Sequence, residues 1–180
     1  NGNFILRQIA TVGDNTDSII LHHVAEEFVP PVPANVHFHP VHYHQKSGLP
    51  AAYMAEFKKI VQKYGKPNLI HLHVALPLGP IAAHLARKYR IPLIISEHWS
   101  IYQPMNRSLL KWYEKWALQY TYRHASHVTA VSQNLLDNIA ATVPAVAKKP
   151  KTVVGNVVDT DVFSLKSPAV ARPKKQILQS

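Results

Sequence analysis

Residues 69–96 carry the pattern that most limits the fold, because two short apolar runs flank a helical stripe there. Residues 69–74 (LIHLHV) and 92–96 (PLIIS) are apolar runs of strand length, and residues 78–89 repeat apolar side chains at helical spacing. Strands joined through a helix by short loops need a crossover connection, and a crossover connection makes the strands parallel. The sequence therefore predicts a parallel sheet.

The remainder of the chain repeats this alternation. Further strands are predicted by the apolar runs at 18–24, 36–43, 127–131 and 151–154, and further helices by the spacing at 51–64, 107–124 and 133–142. Pro40 favours an edge position for its strand, Gly65 a helix end, and Ser132 a helix N-cap. Together these elements predict an α/β fold, a Rossmann-like doubly wound parallel sheet.

Composition restricts the classes of partner and chemistry. The 20 Lys and Arg against 10 Asp and Glu give a formal charge of +10, which favours anionic ligands such as phosphates, nucleotides or acidic lipids. The absence of cysteine excludes disulfides, thiolate nucleophiles and cysteine-based zinc sites. That composition fits a reducing compartment, so we expect a cytoplasmic protein.

Polar residues follow the predicted strands at the points where these strands end. An open parallel sheet binds its ligands beyond the carboxyl ends of the strands. The candidates at this edge are His73, Gly79, Glu97, His98, Ser132, Gly155 and Asn156. We therefore expect the binding site among these residues.

The two histidines of the run at 69–74 have different predicted roles. Alternation along a strand puts His71 and His73 on the same face, but His73 lies nearer the carboxyl end. We expect His71 to be a hydrogen-bonded core residue and His73 to reach the crevice. A metal site would need Glu97 or His98 as a further ligand, and the chain has no HExxH motif, so we predict no metal.

Glu97 and His98 directly follow a buried strand. A carboxylate beside an imidazole suits acid–base chemistry or the binding of a sugar hydroxyl, whereas the alternative is that Glu97 only caps the sheet edge or the loop. Neighbouring residues at a strand end point in opposite directions. We therefore expect only one of the two to face the ligand, and we favour His98.

The predicted helix at 107–124 is basic and aromatic. Its stripe of Arg107, Lys111 and Lys115 runs beside Trp112, Tyr113, Trp116 and Tyr120. Such a helix could rest on an anionic membrane surface, or pack on the sheet with its lysines in solvent. The C-terminal lysines lack the aromatic residues on which nucleic-acid bases stack, so we predict no nucleic-acid binding.

Taken in order, three segments resemble the N-terminal domain of retaining, two-domain GT-B glycosyltransferases of family 4. They are PNLIHLHVALPLGPIAAHLARKYRIPLIISEHWS (67–100), ASHVTAVSQNLLDNI (125–139) and KTVVGNVVDTDVF (151–163). The resemblance covers residues 1–165, with the family's first strand missing before Asn1 and with Val157 where glycine is usual. It implies that residues 166–180 are a linker and the start of an absent donor-binding domain.

The resemblance also implies an activity. A sugar is transferred from a nucleotide diphosphate sugar to a carbohydrate or lipid-linked acceptor, with retention and without a metal or other cofactor. His98 matches the histidine near the reacting sugar, and Gly2 matches the loop that approaches the phosphates. His73, Gly79, Ser132 and Asn156 would line the cleft between the domains, and Glu97 is the remaining candidate for substrate binding.

Three other functions remain open. The chain could be a sugar- or nucleotide-binding module without transferase activity, or part of a sugar-nucleotide epimerase or hydrolase that shares the two-domain fold. A basic nucleic-acid-binding domain is the third. The family resemblance favours the transferase, in the cytoplasm, with peripheral contact to the cytoplasmic face of a membrane as a further expectation.

Overall fold

A computed structural model describes residues 16–23, 34–43 and 45–155 of the chain. The larger of its two sheets has four parallel strands in the order β3-β4-β5-β6. These are β3 (Ile70–His73), β4 (Leu93–Glu97), β5 (His127–Ala130) and β6 (Lys151–Val153). Each neighbouring pair is parallel, as the crossover pattern predicts.

The smaller sheet pairs β1 (Ser18–His23) with β2 (Val36–Val41), also in parallel. Pro40 lies in β2 opposite His22, and β2 has no second neighbour among the described strands, so the predicted edge position is confirmed. Helix α1 (Leu49–Tyr64) follows this sheet. It ends at Gly65, whose φ of 83° suits glycine, as predicted.

Three more helices pack on the four-stranded sheet. They are α2 (Gly79–Tyr89), α3 (Trp112–Arg123) and α4 (Gln133–Thr142). The sheet side chains Leu72, Leu93 and Ile95 share one hydrophobic core with Leu118 of α3 and Ile139 of α4. In the described part of the chain, these helices cover one face of the sheet.

A second, smaller core joins α1 to the rest of the molecule. Phe57 of α1, Leu85 of α2 and Ile91 are its buried members. Leu21 of β1 and Ile70 of β3 both pack against it. The two sheets are therefore connected through shared apolar side chains and helix contacts.

The third helix is shorter than the sequence predicts. Residues 107–109 form a 3-10 turn, and the α-helix begins only at Trp112, because the Glu114 carboxylate accepts the Lys111 backbone N–H at 2.8 Å. In addition, the Arg107 guanidinium donates to the Tyr102 carbonyl oxygen and to Asn138 Oδ1. Arg107 is thus a structural residue outside α3, and the predicted basic stripe retains only its two lysines.

Gly79 marks the closest approach of α2 to α3. A Cβ atom at this buried position would lie 2.6 Å from Thr121 Oγ1 and 2.7 Å from Thr121 Cγ2. Contacts this short require one helix to shift. The absence of a side chain therefore lets the two helices pack side by side.

We expect Gly79→Ala to lower the free energy of unfolding by about 2 kcal/mol, because overpacking a core costs about that much. Adding Thr121→Ala should recover at least half of the loss in a double-mutant cycle, since it removes the two closest atoms. Urea denaturation measures both values. Gly155→Ala is the matched control, because nothing lies within 4 Å of its Cβ position. Equal losses at Gly79 and Gly155 would contradict the steric explanation.

Candidate active site at the carboxyl edge of the sheet

An open depression lies at the carboxyl ends of β3 and β4. It has a volume of about 310 Å³ and is lined by Val74, Leu76, His98 and Trp99. Val74 directly follows β3, and His98 directly follows β4. The depression is where a parallel sheet binds its ligands, and His98 is the polar side chain in its wall.

The turn after β3 is held by an unusual backbone conformation. Val74 has a φ of 65°, in the left-handed region that a β-branched residue rarely adopts. Its N–H donates to the Ser96 carbonyl oxygen at 2.9 Å, which continues the pairing of β3 with β4. The left-handed turn then directs the Ala75 N–H toward the Glu97 carboxylate, 2.8 Å away.

Glu97 connects three segments behind the depression. Its Oε1 atom accepts hydrogen bonds from the Ala75 N–H at 2.8 Å, the Tyr102 hydroxyl at 2.8 Å and the Tyr122 hydroxyl at 3.0 Å. Glu97 and both tyrosines have no exposed surface. The carboxylate thereby ties the turn after β3 and the segment after β4 to helix α3.

Burial dominates the titration of this cluster. It raises the pKa of the Glu97 carboxyl, although the hydrogen bonds from Ala75, Tyr102 and Tyr122 act in the opposite direction. Burial also raises the pKa of both tyrosines well above the usual range for a phenol. The tyrosines therefore stay protonated and can donate to Glu97 at neutral pH.

Three histidine rings lie side by side at the ends of β3 and β4. The centroids of His71 and His73 are 4.2 Å apart, and those of His73 and His98 are 6.1 Å apart at an interplanar angle of 20°. Burial and then the neighbouring rings of His71 and His98 lower the pKa of His73 to about 4. His73 is therefore a neutral imidazole at neutral pH, beside the histidine that lines the depression.

The expectation of a buried His71 is wrong. His71 is exposed, because it lies on the face of β3 opposite the buried Leu72, and in the described residues no helix covers that face. The predicted hydrogen bond is confirmed, since His71 Nε2 lies 2.7 Å from Ser96 Oγ. Ser96 Oγ is in turn 2.6 Å from Thr129 Oγ1, so the chain of bonds runs across β3, β4 and β5.

Three other predicted site residues, Gly79, Glu97 and Ser132, are not among the residues that line the depression. Ser132 is exposed at the carboxyl end of β5, and its side chain caps α4 by accepting the Leu135 N–H, which confirms the predicted N-cap. Gly79 and Glu97 are buried, and their contacts are structural. Their binding of a substrate stays a prediction, as does that of Ser132. Gly2 and Asn156 lie outside the described residues.

The histidines of the described ranges do not form a metal-binding arrangement. Within residues 16–23, 34–43 and 45–155, no three His, Asp or Glu side chains are grouped so that they could hold a metal ion. The His73 and His98 rings are stacked, whereas the His71 ring is tilted against His73. The arrangement suits hydrogen bonding to a polar ligand.

Sequence reasoning missed most of the residues that shape the depression. Val74, Leu76 and Trp99 line it, and Tyr102 with Tyr122 fixes Glu97 behind it. Trp99 could have been found, because it directly follows His98. Tyr122 gave no local signal, since its partner Glu97 lies 25 residues away. Tyr102 lies five residues from Glu97 but belongs to no predicted strand or helix.

Comparison of the chain with known protein families gives one match. Residues 15–162 match the family model described as Glycosyltransferase Family 4. The matched range includes both sheets, all four helices and every residue that lines the depression. No curated protein matches the chain.

Proposed function

The chain belongs to glycosyltransferase family 4, and from that we propose that it supplies one half of a retaining glycosyltransferase. The enzyme transfers a sugar from a nucleotide diphosphate sugar to a carbohydrate or lipid-linked acceptor. A second domain, of the kind implied by the family resemblance, holds the nucleotide. The chain described here contributes the wall of the cleft that faces the reacting sugar.

The observation that carries this proposal is the position of His98. It lines an open depression at the carboxyl edge of a parallel sheet in a chain of this family. Trp99 and Leu76 supply apolar surface beside it, and such surface suits the carbon faces of a sugar ring. His98 is thus able to bind a hydroxyl group of a sugar held against Trp99.

The chemistry of the transfer needs polar groups more than a strong nucleophile. Positive charge develops on the sugar ring and negative charge on the departing diphosphate, so fixed dipoles near the anomeric carbon lower the barrier. His98 acts as such a dipole by hydrogen bonding the donor sugar, and we assign it no proton transfer. The neutral His73 behind it adds no positive charge that would oppose the charge on the ring.

The remaining candidate residues are assigned to the diphosphate and to the cleft between the domains. The family resemblance assigns Gly2 to the loop that approaches the diphosphate, and backbone N–H groups at a helix N-terminus would favour that anion. The same resemblance assigns Ser132 and Asn156 to the cleft between the domains, and the chain's charge of +10 favours the anionic donor. Neutralisation of the leaving group by these groups needs no metal ion.

The full-length protein tests the proposal. Incubation with a panel of nucleotide diphosphate sugars and an acceptor extract should release nucleotide diphosphate and form a product with the donor's anomeric configuration, as read by NMR. EDTA should leave the rate unchanged. The 180-residue chain alone should show no turnover. An epimerised donor, or nucleotide release that needs no acceptor, would instead indicate an epimerase or a hydrolase.

A further inference from the structure

The aromatic surface is formed by Met105, Leu109, Trp112, Tyr113 and Trp116, large apolar side chains that the described part of the fold leaves in solvent. Trp112 is 81% exposed, Trp116 65%, Met105 83% and Leu109 67%. The two tryptophans alone expose on the order of 300 Å². Apolar patches of several hundred Å² on a protein surface mark a contact with a partner or a membrane.

The tryptophans of the aromatic surface project from one side of helix α3, and Met105 and Leu109 precede that helix. Trp112 and Trp116 lie one turn apart and so occupy the same face, whereas the opposite face buries Leu118 and Tyr122 in the core. The tryptophan rings are supported from the side, since Trp112 contacts Tyr113 edge-on at 5.9 Å and Trp116 stacks on Tyr120 at 5.7 Å. The core therefore holds α3 in place while its indoles face outward.

Positive charge lies along one side of the aromatic surface. Lys111 and Lys115 lie one turn apart, both exposed and on the same side of Trp112, and the Lys111 ammonium lies 5.7 Å from the centre of the Tyr113 ring. Glu114 is the one acidic side chain of α3, and it is engaged with the Lys111 backbone N–H. Interfaces between proteins are depleted in lysine, whereas anionic lipid headgroups attract it.

We propose that the aromatic surface docks on an anionic lipid bilayer. Tryptophan and tyrosine prefer the boundary between headgroups and acyl chains, and lysines beside them meet the lipid phosphates. In the described residues, no helix combines the length and the hydrophobicity that crossing a membrane requires. The indoles of α3 enter the boundary region, and Lys111 and Lys115 contact the headgroups.

Docking in this way orients the candidate active site. The segment between β4 and α3 begins at His98 and is tied to the carboxyl edge of the sheet through the hydrogen bond from Tyr102 to Glu97. The depression and the N-terminal turn of α3 are the two ends of this segment. Docking therefore fixes the orientation of the depression relative to a membrane that holds a lipid-linked acceptor, a step that rests on the proposed function, whereas the docking itself does not.

Co-sedimentation of the full-length protein with vesicles tests the docking. We expect binding to phosphatidylcholine vesicles that contain phosphatidylglycerol, with a blue shift of tryptophan emission, and weaker binding at high salt. Trp112→Ala/Trp116→Ala should lower the partition coefficient at least tenfold. Both side chains are exposed, so the thermal midpoint should not change.

A charge-matched pair of variants separates local contact from net charge. Lys111→Gln/Lys115→Gln should lower binding to anionic vesicles about tenfold or more, because each lysine near the surface contributes to the attraction. Lys58→Gln/Lys66→Gln removes the same charge from exposed positions elsewhere and should have a much smaller effect. Equal losses in the two variants would overturn the proposal.

Two other outcomes would also overturn it. The first is wild-type protein that fails to bind anionic vesicles at low salt. The second is a dimer in sedimentation velocity that the tryptophan substitutions dissociate while vesicle binding stays intact, which would make the aromatic surface an interface between copies of the chain. Transfer to an acceptor dissolved in detergent is measured separately, so loss of docking and loss of the proposed activity can be told apart.

Discussion

Replacing Glu97 by leucine should lower the free energy of unfolding by about 4 kcal/mol, because it leaves three buried donors without their acceptor, at about 1–3 kcal/mol each. These donors are the Ala75 N–H and the hydroxyls of Tyr102 and Tyr122. Glu97→Gln keeps an oxygen in place and should lose only about 1 kcal/mol at neutral pH. Urea denaturation of the full-length protein measures both changes.

The pH dependence of the same variants tests the protonation state of Glu97. Its pKa is raised in the folded protein, so its contribution to stability is complete below the unfolded value of 4.5 and is lost as pH rises through the folded pKa. The stability difference between wild type and Glu97→Gln should therefore be largest at low pH and shrink as pH rises. Glu114→Gln is the control, since that carboxylate is only half-buried. A difference that grew with pH would contradict burial as the dominant cause.

His98→Ala should lower the kcat of the full-length enzyme by about 100-fold or more, because removing one fixed hydrogen-bonding group from a reacting centre costs that much. The KM for the donor should change less, since the group acts mainly on charge that develops during transfer. Steady-state kinetics with the nucleotide sugar measure both constants. Stability should fall by less than about 1 kcal/mol, because the side chain lines an open depression.

A histidine at the other end of the sheet provides the control for this experiment. His127 starts β5 at its amino end and bonds Thr152 on the neighbouring strand at 2.9 Å. His127→Ala should leave turnover within twofold of wild type. If His98→Ala retained wild-type turnover, or if the two variants lost activity equally, His98 would have no place at the reacting sugar.

The elements that follow hydrophobic patterns were predictable from the sequence. The predicted strands at 69–74 and 92–96 differ from β3 and β4 by one residue at their ends, and helix 133–142 has the predicted bounds. The error at 107–124 has a tertiary cause, because Arg107 is held by Asn138, which lies 31 residues away. A local pattern contains no information about such a contact.

The candidate site was predictable only in part, for a similar reason. His98 could be chosen because it follows a buried strand, and the position of ligand sites in parallel sheets is general. The alternative role of Glu97 is that it only caps the sheet edge or the loop. This role depends on its hydrogen bond with Tyr122, which lies 25 residues further along the chain. The left-handed conformation of Val74 could not be predicted, because a β-branched residue favours extended backbone.

The left-handed backbone of Val74 also bears on the affinity for a substrate. A conformation that costs a β-branched residue about 1–2 kcal/mol persists only when the surrounding contacts leave the chain no alternative. Here these contacts are the hydrogen bonds from the Val74 N–H to Ser96 and from the Ala75 N–H to Glu97. The wall of the depression is therefore preorganised during folding, and we expect the sugar of the proposed reaction to lose little binding energy to the entropy of ordering this loop.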